Sequence, residues 1–212
     1  MKIYRDIEQR SREWFEIRKL KFTASNATAI RANGKGLETL AKELVRDYYS
    51  SRVYEEYSND INNKHLYRGC KYEDMARSIY EMETGNKVET VAFVEKSKYV
   101  GCSPDGLVGL DGLLEIKNPD DKVFFDYVLS GKLDTSHYNQ IQMQLYVTDR
   151  KWCDYFVFNP NFTPNYVLKT IYRDDAAIAQ IAAGLNTGEK LLKKLLSQTE
   201  GKLEEPTVKE LV

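Results

Sequence analysis

An α/β fold, with a mixed central β-sheet flanked by helices, is what this chain predicts, and three observations carry the prediction. Helix-period stripes and strand-like alternations succeed one another as helices, strands, helices, strands, helix. Two segments late in the chain, Trp152–Phe158 and Tyr166–Tyr172, have the length and composition of strands, the second with clear alternation. Between them and the first helices, the run from Pro104-Asp105-Gly106 to Glu115-Ile116-Lys117 reads as a hairpin turning at Asp111-Gly112. With 212 residues the chain can bury one substantial core. A single domain is expected over residues 1–198, with a charged tail containing Pro206 over residues 199–212.

The elements follow in order. Ser11 is the N-cap of a first helix with Trp14 and Ile17 on its apolar side, and Arg18 on the opposite edge. A short second helix follows Thr23-Ala24-Ser25. Leu37, Leu40, Ala41, Leu44, Val45 and Tyr48 mark a third helix, over about residues 37–57, and the polar stretch 54–64 reads as a loop. Tyr72, Met75, Ile79 and Met82 form the stripe of another helix, which Gly85 closes. Residues 87–95 read as a strand, and the hairpin follows. Pro119 ends its second strand, and helices are expected over 122–130 and 136–148. After the two late strands comes a long amphipathic helix carrying Ile178, Ile181, Leu185, Leu192 and Leu195.

Composition excludes several classes of function. Hydrophobic residues are 42% and charged residues 30% of the chain, as in an ordinary globular protein. No run approaches the roughly 20 apolar residues of a membrane span. The polar start, Met1-Lys2-Ile3-Tyr4-Arg5-Asp6, lacks the apolar centre of a signal peptide, so a cytoplasmic location is expected. Cys70, Cys102 and Cys153 are widely spaced and form no CxxC, which indicates neither zinc nor an iron–sulfur cluster. Isolated His65 and His137 argue against a Ser-His or Cys-His nucleophile. The net charge of −1 argues against a coat for nucleic acid, yet residues 1–35 carry nine Lys or Arg and four Asp or Glu, a local net of +5. That distribution permits DNA binding.

Chemistry concentrates in the hairpin. Glu115 and Lys117 are two apart, so on a strand both leave the same face while Leu114 and Ile116 point into a core. Folding at Asp111-Gly112 brings Asp105 beside them. An acid-x-Lys triplet by itself means little, because it recurs at Asp120, Asp149 and Glu200, where it reads as a surface ion pair. Only the Glu115 copy lies in an apolar run and follows Pro-Asp-Gly at hairpin distance. Two carboxylates and a lysine, without histidine or cysteine, suit a hard ion such as Mg²⁺ that shares its shell with water and phosphate. Such a site is expected to face solvent and substrate. Glu73, one position from the Tyr72 stripe, pairs at i,i+4 with Arg77. Gln140 and Gln142 lie on a helix, where glutamines ordinarily face solvent.

The succession Trp14-x-x-x-Arg18, Thr23-Ala24-Ser25, Gly69-x-x-Tyr72-Glu73, Cys102-Ser103-Pro104-Asp105-Gly106, Leu114-Glu115-Ile116-Lys117 and Gln140-x-Gln142 resembles the exonucleases of the bacteriophage lambda type. These are the YqaJ-like viral recombinase family within the PD-(D/E)xK nucleases. The resemblance runs from about Ser11 to Pro160 and implies a restriction-endonuclease-like core. It implies that Asp105, Glu115 and the backbone carbonyl of Ile116 are metal ligands. Lys117 then holds the attacking water, Glu73 serves a second metal or its waters, and Gln140 rather than Gln142 helps position the nucleophile. Arg18 and Ser25 match the positions that hold a terminal 5′-phosphate. Asn118-Pro119 departs slightly from relatives that have a small residue before the proline.

The expected activity is Mg²⁺-dependent 5′→3′ degradation of one strand from double-stranded DNA ends, with Mn²⁺ expected to substitute. The resulting 3′ overhangs serve single-strand annealing in phage-type recombination. The implied partners are DNA ends, a ring-shaped homotrimer and a single-strand annealing protein. The alternatives are an endonuclease or nickase on the same fold, and a catalytically silent DNA-end-binding scaffold.

Overall fold

The computed structural model describes residues 1–50 and 64–203. Two mixed sheets form around one buried helix. The four-stranded sheet contains β1 (Lys2–Tyr4), β4 (Phe93–Ser97), β5 (Val100–Cys102) and β2 (Phe22–Thr23), in that order. The five-stranded sheet has the order β3 (Val88–Glu89), β6 (Gly106–Val108), β7 (Gly112–Lys117), β8 (Trp152–Phe158) and β9 (Tyr166–Tyr172). Two adjacent pairs, β2–β5 and β7–β8, are parallel, and the others are antiparallel.

Seven α-helices surround these sheets among the described residues: α1 (Arg12–Arg18), α2 (Ala27–Ala32), α3 (Lys35–Tyr49), α4 (Lys64–Thr84), α5 (Asp121–Ser130), α6 (Thr135–Thr148) and α7 (Asp175–Thr199). Ser11 caps α1 by accepting from the Trp14 N–H, and Asp120 caps α5 through Val123 N–H. The helix after Thr23 begins as a 3₁₀ turn over Ala24–Asn26. α3 buries Leu37, Leu40, Ala41 and Val45, as its stripe predicts; residues 51–57 of that expectation lie outside the described residues. So does the expected loop over 54–64 up to Lys64, which opens α4, and the tail beyond residue 203. The side chains of Cys70 and His65 are likewise outside; Cys102 and Cys153 are buried free thiols.

Four expectations need correction. First, Met75 and Met82 are exposed, and α4 instead buries Ala76 and Tyr80, with Tyr72 and Ile79 half-buried beside them. The contact-making stripe is therefore 72, 76, 79 and 80, and Tyr80 is drawn inward because its hydroxyl donates to buried Asp154 at 2.7 Å. Second, residues 87–95 are not one strand. β3 pairs with β6 and β4 with β5 in the same antiparallel register, but the ribbon opens between them and the two halves join different sheets.

Third, the hairpin does not turn at Asp111-Gly112. Gly112 already pairs with Val108, and the loop is Gly109–Asp111, with Gly109 at φ +52°. Gly112 is needed for another reason: a Cβ there would meet the Trp152 ring at 2.2 Å. Fourth, the two short strands β1 and β2 have no counterpart in the sequence expectations.

The larger apolar core gathers residues from α2, α3, α6, α7 and both sheets; a smaller one holds Ala76, Tyr80, Leu114, Ile116, Phe156 and Phe158. β7 lies between them. Leu114 and Ile116 enter the smaller core, each contributing about 1.5–3 kcal/mol by burial. Leu113 faces the larger core. Glu115 shares the Leu113 side, so a carboxylate is held between a sheet and the central helix α6.

Candidate active site

The site forms where the ribbon opens. Strand β5 ends at Cys102 and β6 starts at Gly106, so Ser103-Pro104-Asp105 is the crossing from one sheet to the other. Backbone carbonyls that lose their ladder partners there must be paired in some other way. Gln9 supplies its amide N–H to the Val91 carbonyl at 3.0 Å and to the Pro104 carbonyl at 3.5 Å. The Trp14 indole N–H donates to the Ala92 carbonyl at 3.0 Å and to Ser103 Oγ at 3.1 Å. Side chains from the first 14 residues thus hold the ribbon open beside Asp105. A cleft of about 370 Å³ results, lined among others by Gln9, Arg10, Glu73, Arg77 and Asp105.

The hairpin register sets Gly106 opposite Leu114, which brings the preceding Asp105 across from Glu115. Asp105 Oδ2 accepts from the Ile116 N–H at 2.6 Å, which pins the carboxylate to β7. Glu115 is 2% exposed, contrary to the expectation that the site faces solvent. It is buried because α6 covers that face of β7 and brings polar side chains to it. Lys117 Nζ donates to Glu115 Oε1 at 2.5 Å, and Gln140 Nε2 donates to the same oxygen at 2.7 Å. Gln144 Nε2 donates to Oε2 at 2.7 Å. Lys117 also reaches Gln140 Oε1 at 3.3 Å.

The three glutamines of α6 therefore do different things. Gln142 is turned away from the site, donating to the Tyr172 carbonyl and accepting from the Asp174 N–H. Gln142 and Gln144 are fully buried, which corrects the solvent-facing expectation for glutamines on this helix. Gln144 was not among the candidate residues. Its signal was the i,i+4 spacing from Gln140, which puts both amides on one helix face.

Electrostatics mark the site as short of positive charge. Burial, then the charges of Glu115 and Glu73, push the Asp105 carboxyl well above its usual range. For Lys117, burial lowers the affinity for a proton, but Glu115 and Asp105 outweigh it and hold the ammonium above its ordinary value. Lys117 is therefore charged at neutral pH. One lysine faces two close carboxylates, with Glu73 contributing a third charge across the cleft. Glu73 itself pairs with Arg77 at 3.0 Å and more loosely with Arg10 at 3.9 Å.

No group of three or more His, Cys, Asp or Glu is close enough to hold a metal among the described residues. The donor set nevertheless fits a hard cation. Asp105 and Glu115 offer oxygen only, their repulsion would be relieved by positive charge, and water or substrate phosphate would complete the shell. The Ile116 carbonyl lies on the same strand.

Arg18 is not on the opposite edge of α1. Four residues after Trp14, it returns to the same side, its guanidinium 4.0 Å from the Trp14 ring centroid, and it donates to Ser103 Oγ at 3.1 Å. Its partner Ser103 lies two residues before Asp105 on the crossing segment. Ser25 is exposed in the 3₁₀ turn, its Oγ 3.1 Å from Thr23 Oγ1.

A mixed sheet flanked by helices, with an acid at a sheet crossing and Glu-x-Lys on the adjoining strand, defines a restriction-endonuclease-like nuclease. Comparison with known proteins narrows the class. Residues 13–151 match the model of the YqaJ-like viral recombinase domain, and the chain belongs to that family. The alkaline exonuclease from Laribacter hongkongensis superposes with a TM-score of 0.75 at 30% identity, over 90% of this chain and 98% of that one. A phage-related exonuclease from Haemophilus somnus shares the fold, with a TM-score of 0.62 at 15% identity, over 84% of this chain and 96% of that one. An uncharacterized protein of Acanthamoeba polyphaga mimivirus is 31% identical over 113 residues. The match covers 45% of this chain and 20% of the viral protein's length. Family and fold together support a nuclease that acts on DNA. No helix among the described residues is long and apolar enough to cross a membrane.

Proposed function

We propose that the chain is a Mg²⁺-dependent exonuclease that degrades the 5′-ended strand of double-stranded DNA from its ends. The observation that carries this reading is the convergence of Asp105, Glu115, Lys117 and Gln140 beside an open cleft, in a chain of this family. Asp105, Glu115 and the Ile116 carbonyl would hold the ion, and Glu73 across the cleft would bind a second ion or its water shell. When bound, the ion supplies Lewis acidity, acidifying water and drawing charge from the phosphoryl oxygens.

The chain's own groups do the rest. Lys117 is kept protonated by its neighbours, so it donates hydrogen bonds to a nucleophilic oxygen and to the charge that builds on phosphorus. Gln140, bonded to both Glu115 and Lys117, fixes the lysine's direction. Arg18, braced on Trp14, and Ser25 would hold a terminal 5′-phosphate, a charge-assisted contact that sets which strand enters the cleft. The 3′ overhangs left behind would go to a single-strand annealing protein. Three subunits in a ring around the duplex would keep the enzyme on its substrate without strong sequence-independent affinity. We assign residues 1–198 to the nuclease domain and place its action in the cytoplasm of the cell where the DNA lies.

A single assay tests the reading. Linear duplexes labelled at either the 5′ or the 3′ end, and a covalently closed circle, are incubated with the protein with and without Mg²⁺. Progressive loss of the 5′ label first, only with Mg²⁺ and never from the circle, is the expected result. Cutting of the circle would make the protein an endonuclease, and no cutting of any substrate would leave a DNA-binding scaffold.

A further inference from the structure

We infer that Gln144 is a positioning residue for the catalytic carboxylate: it fixes the rotation of Glu115 so that its other oxygen stays aimed into the site. The inference rests on the reading of Glu115 as a metal ligand. Glu115 Oε1 is shared by Lys117 and Gln140, both of which are partly exposed. Oε2 points inward to Gln144, which is completely buried. The hold of these partly exposed groups on Oε1 would weaken wherever water or substrate drew them away. The contact from Gln144 would not, because neither water nor substrate reaches it.

The orientation of the amide supports this assignment. A carboxylate only accepts hydrogen bonds, so Gln144 must present its NH₂ to Glu115 and leave its carbonyl elsewhere. That carbonyl oxygen is buried and has no hydrogen-bond partner. An apolar side chain of similar volume would avoid this unfavourable state if packing were the only requirement. Gln142, on the same helix and equally buried, has both ends of its amide paired. Its role is to tether α6 to the end of β9 and the start of α7, which makes it a control for loss of a buried glutamine.

Mn²⁺ binding to the metal-free protein without DNA, read from the paramagnetic resonance signal of free Mn²⁺, tests the inference. Partners that orient a metal-ligating group are worth about 10–100-fold in affinity or activity. Gln144→Met should therefore weaken Mn²⁺ binding by about tenfold or more, and raise the Mg²⁺ concentration for half-maximal cleavage by the same factor. Turnover should recover at saturating Mg²⁺. Gln142→Met should lower the melting temperature and leave Mn²⁺ affinity unchanged. If Gln144→Met does not fold, Gln144→Asn, whose amide falls short of Glu115, should show the same weakening. Unchanged Mn²⁺ affinity in the Gln144 variant, or equal weakening in the Gln142 variant, overturns the positioning role. Wild-type binding that survives Asp105→Asn unaltered, or is absent altogether, overturns the reading of the metal site itself.

Discussion

Replacing Glu115 by alanine should unfold the protein more readily as well as inactivate it, and the structure gives the size of the effect. The carboxylate is 2% exposed and accepts from Lys117, Gln140 and Gln144 at 2.5–2.7 Å. Removing one member of a buried charged pair costs about 3–5 kcal/mol. Two features move the value toward the lower end. The Lys117 side chain is 26% exposed and can turn to water, and Asp105 is freed from the largest of the charges that oppose its ionisation. Gln144, fully buried, has no such escape. A loss of about 3 kcal/mol follows, a large part of the 5–15 kcal/mol that holds a typical domain together.

For a chain of this length, each kcal/mol shifts the melting temperature by about 2–4 °C, so a fall of about 6–12 °C is expected. Urea unfolding at pH 7.5, followed by the fluorescence of Trp14 and Trp152, measures the difference. Asp105→Asn is the companion variant. It keeps an acceptor for the Ile116 N–H and removes the repulsion, so it should stay within about 1 kcal/mol of wild type while abolishing cleavage. A Glu115→Ala protein that unfolds at the wild-type urea midpoint would refute the argument that this buried carboxylate supports the fold.

Three further predictions concern the rest of the site. If Arg18 holds a 5′-phosphate, linear DNA with a 5′-phosphate is degraded faster than 5′-hydroxyl DNA. Arg18→Ala should then erase a preference of about 1.5–3 kcal/mol, and Arg18→Lys should not restore it, since lysine lacks the planar face that rests on Trp14. Equal rates on both ends in the wild-type enzyme would leave Arg18 without that role. His137 is held below its ordinary pKa of 6.5 by burial and by the Lys117 charge, with its Nδ1 2.8 Å from the Tyr155 hydroxyl. A base whose folded pKa is depressed contributes stability that is present above 6.5 and lost as pH falls through the folded value. Melting temperatures from pH 8 to 5 should therefore fall less for His137→Gln than for wild type; parallel curves would reject the assignment. Light scattering at micromolar concentration should give a mass near three chains, and a stable monomer of 24.6 kDa with and without DNA would remove the proposed ring.

What could be read in the sequence was mostly what depends on near neighbours. The alternation Leu114-Glu115-Ile116-Lys117 gives the two faces of β7 without any knowledge of its partners, and the position of Asp105 follows from hairpin distance. The bounds of β8 and β9 are legible for the same reason. Long-range features were not. β2 is two residues long and pairs with Val100-Gly101, nearly eighty positions later, so no local pattern marks it. The strand expected over 87–95 is split because Gln9 and Trp14, far upstream, take its backbone carbonyls.

Burial of Glu115 is not legible in the sequence because a charged residue in an alternating strand reads as the wet face. Here that face is covered by α6, whose own polar residues look solvent-directed until their partners are known. Met75 and Met82 misled for a related reason: hydrophobicity alone does not say which of two offset stripes meets the sheet, and the Tyr80–Asp154 bond decides it.

The most direct test of the central claim is the rate of single-turnover degradation of a 5′-phosphorylated linear duplex by Lys117→Ala protein in saturating Mg²⁺, with Mn²⁺ binding measured in parallel. Lys117 donates to Glu115 and is held charged beside two carboxylates, so its loss should leave the ion's ligands in place. The expected result is retained metal binding with cleavage reduced by about 10²–10³-fold, as when one preorganised transition-state donor is removed. A Lys117→Ala enzyme that binds the ion and degrades the duplex at close to the wild-type rate would contradict the account.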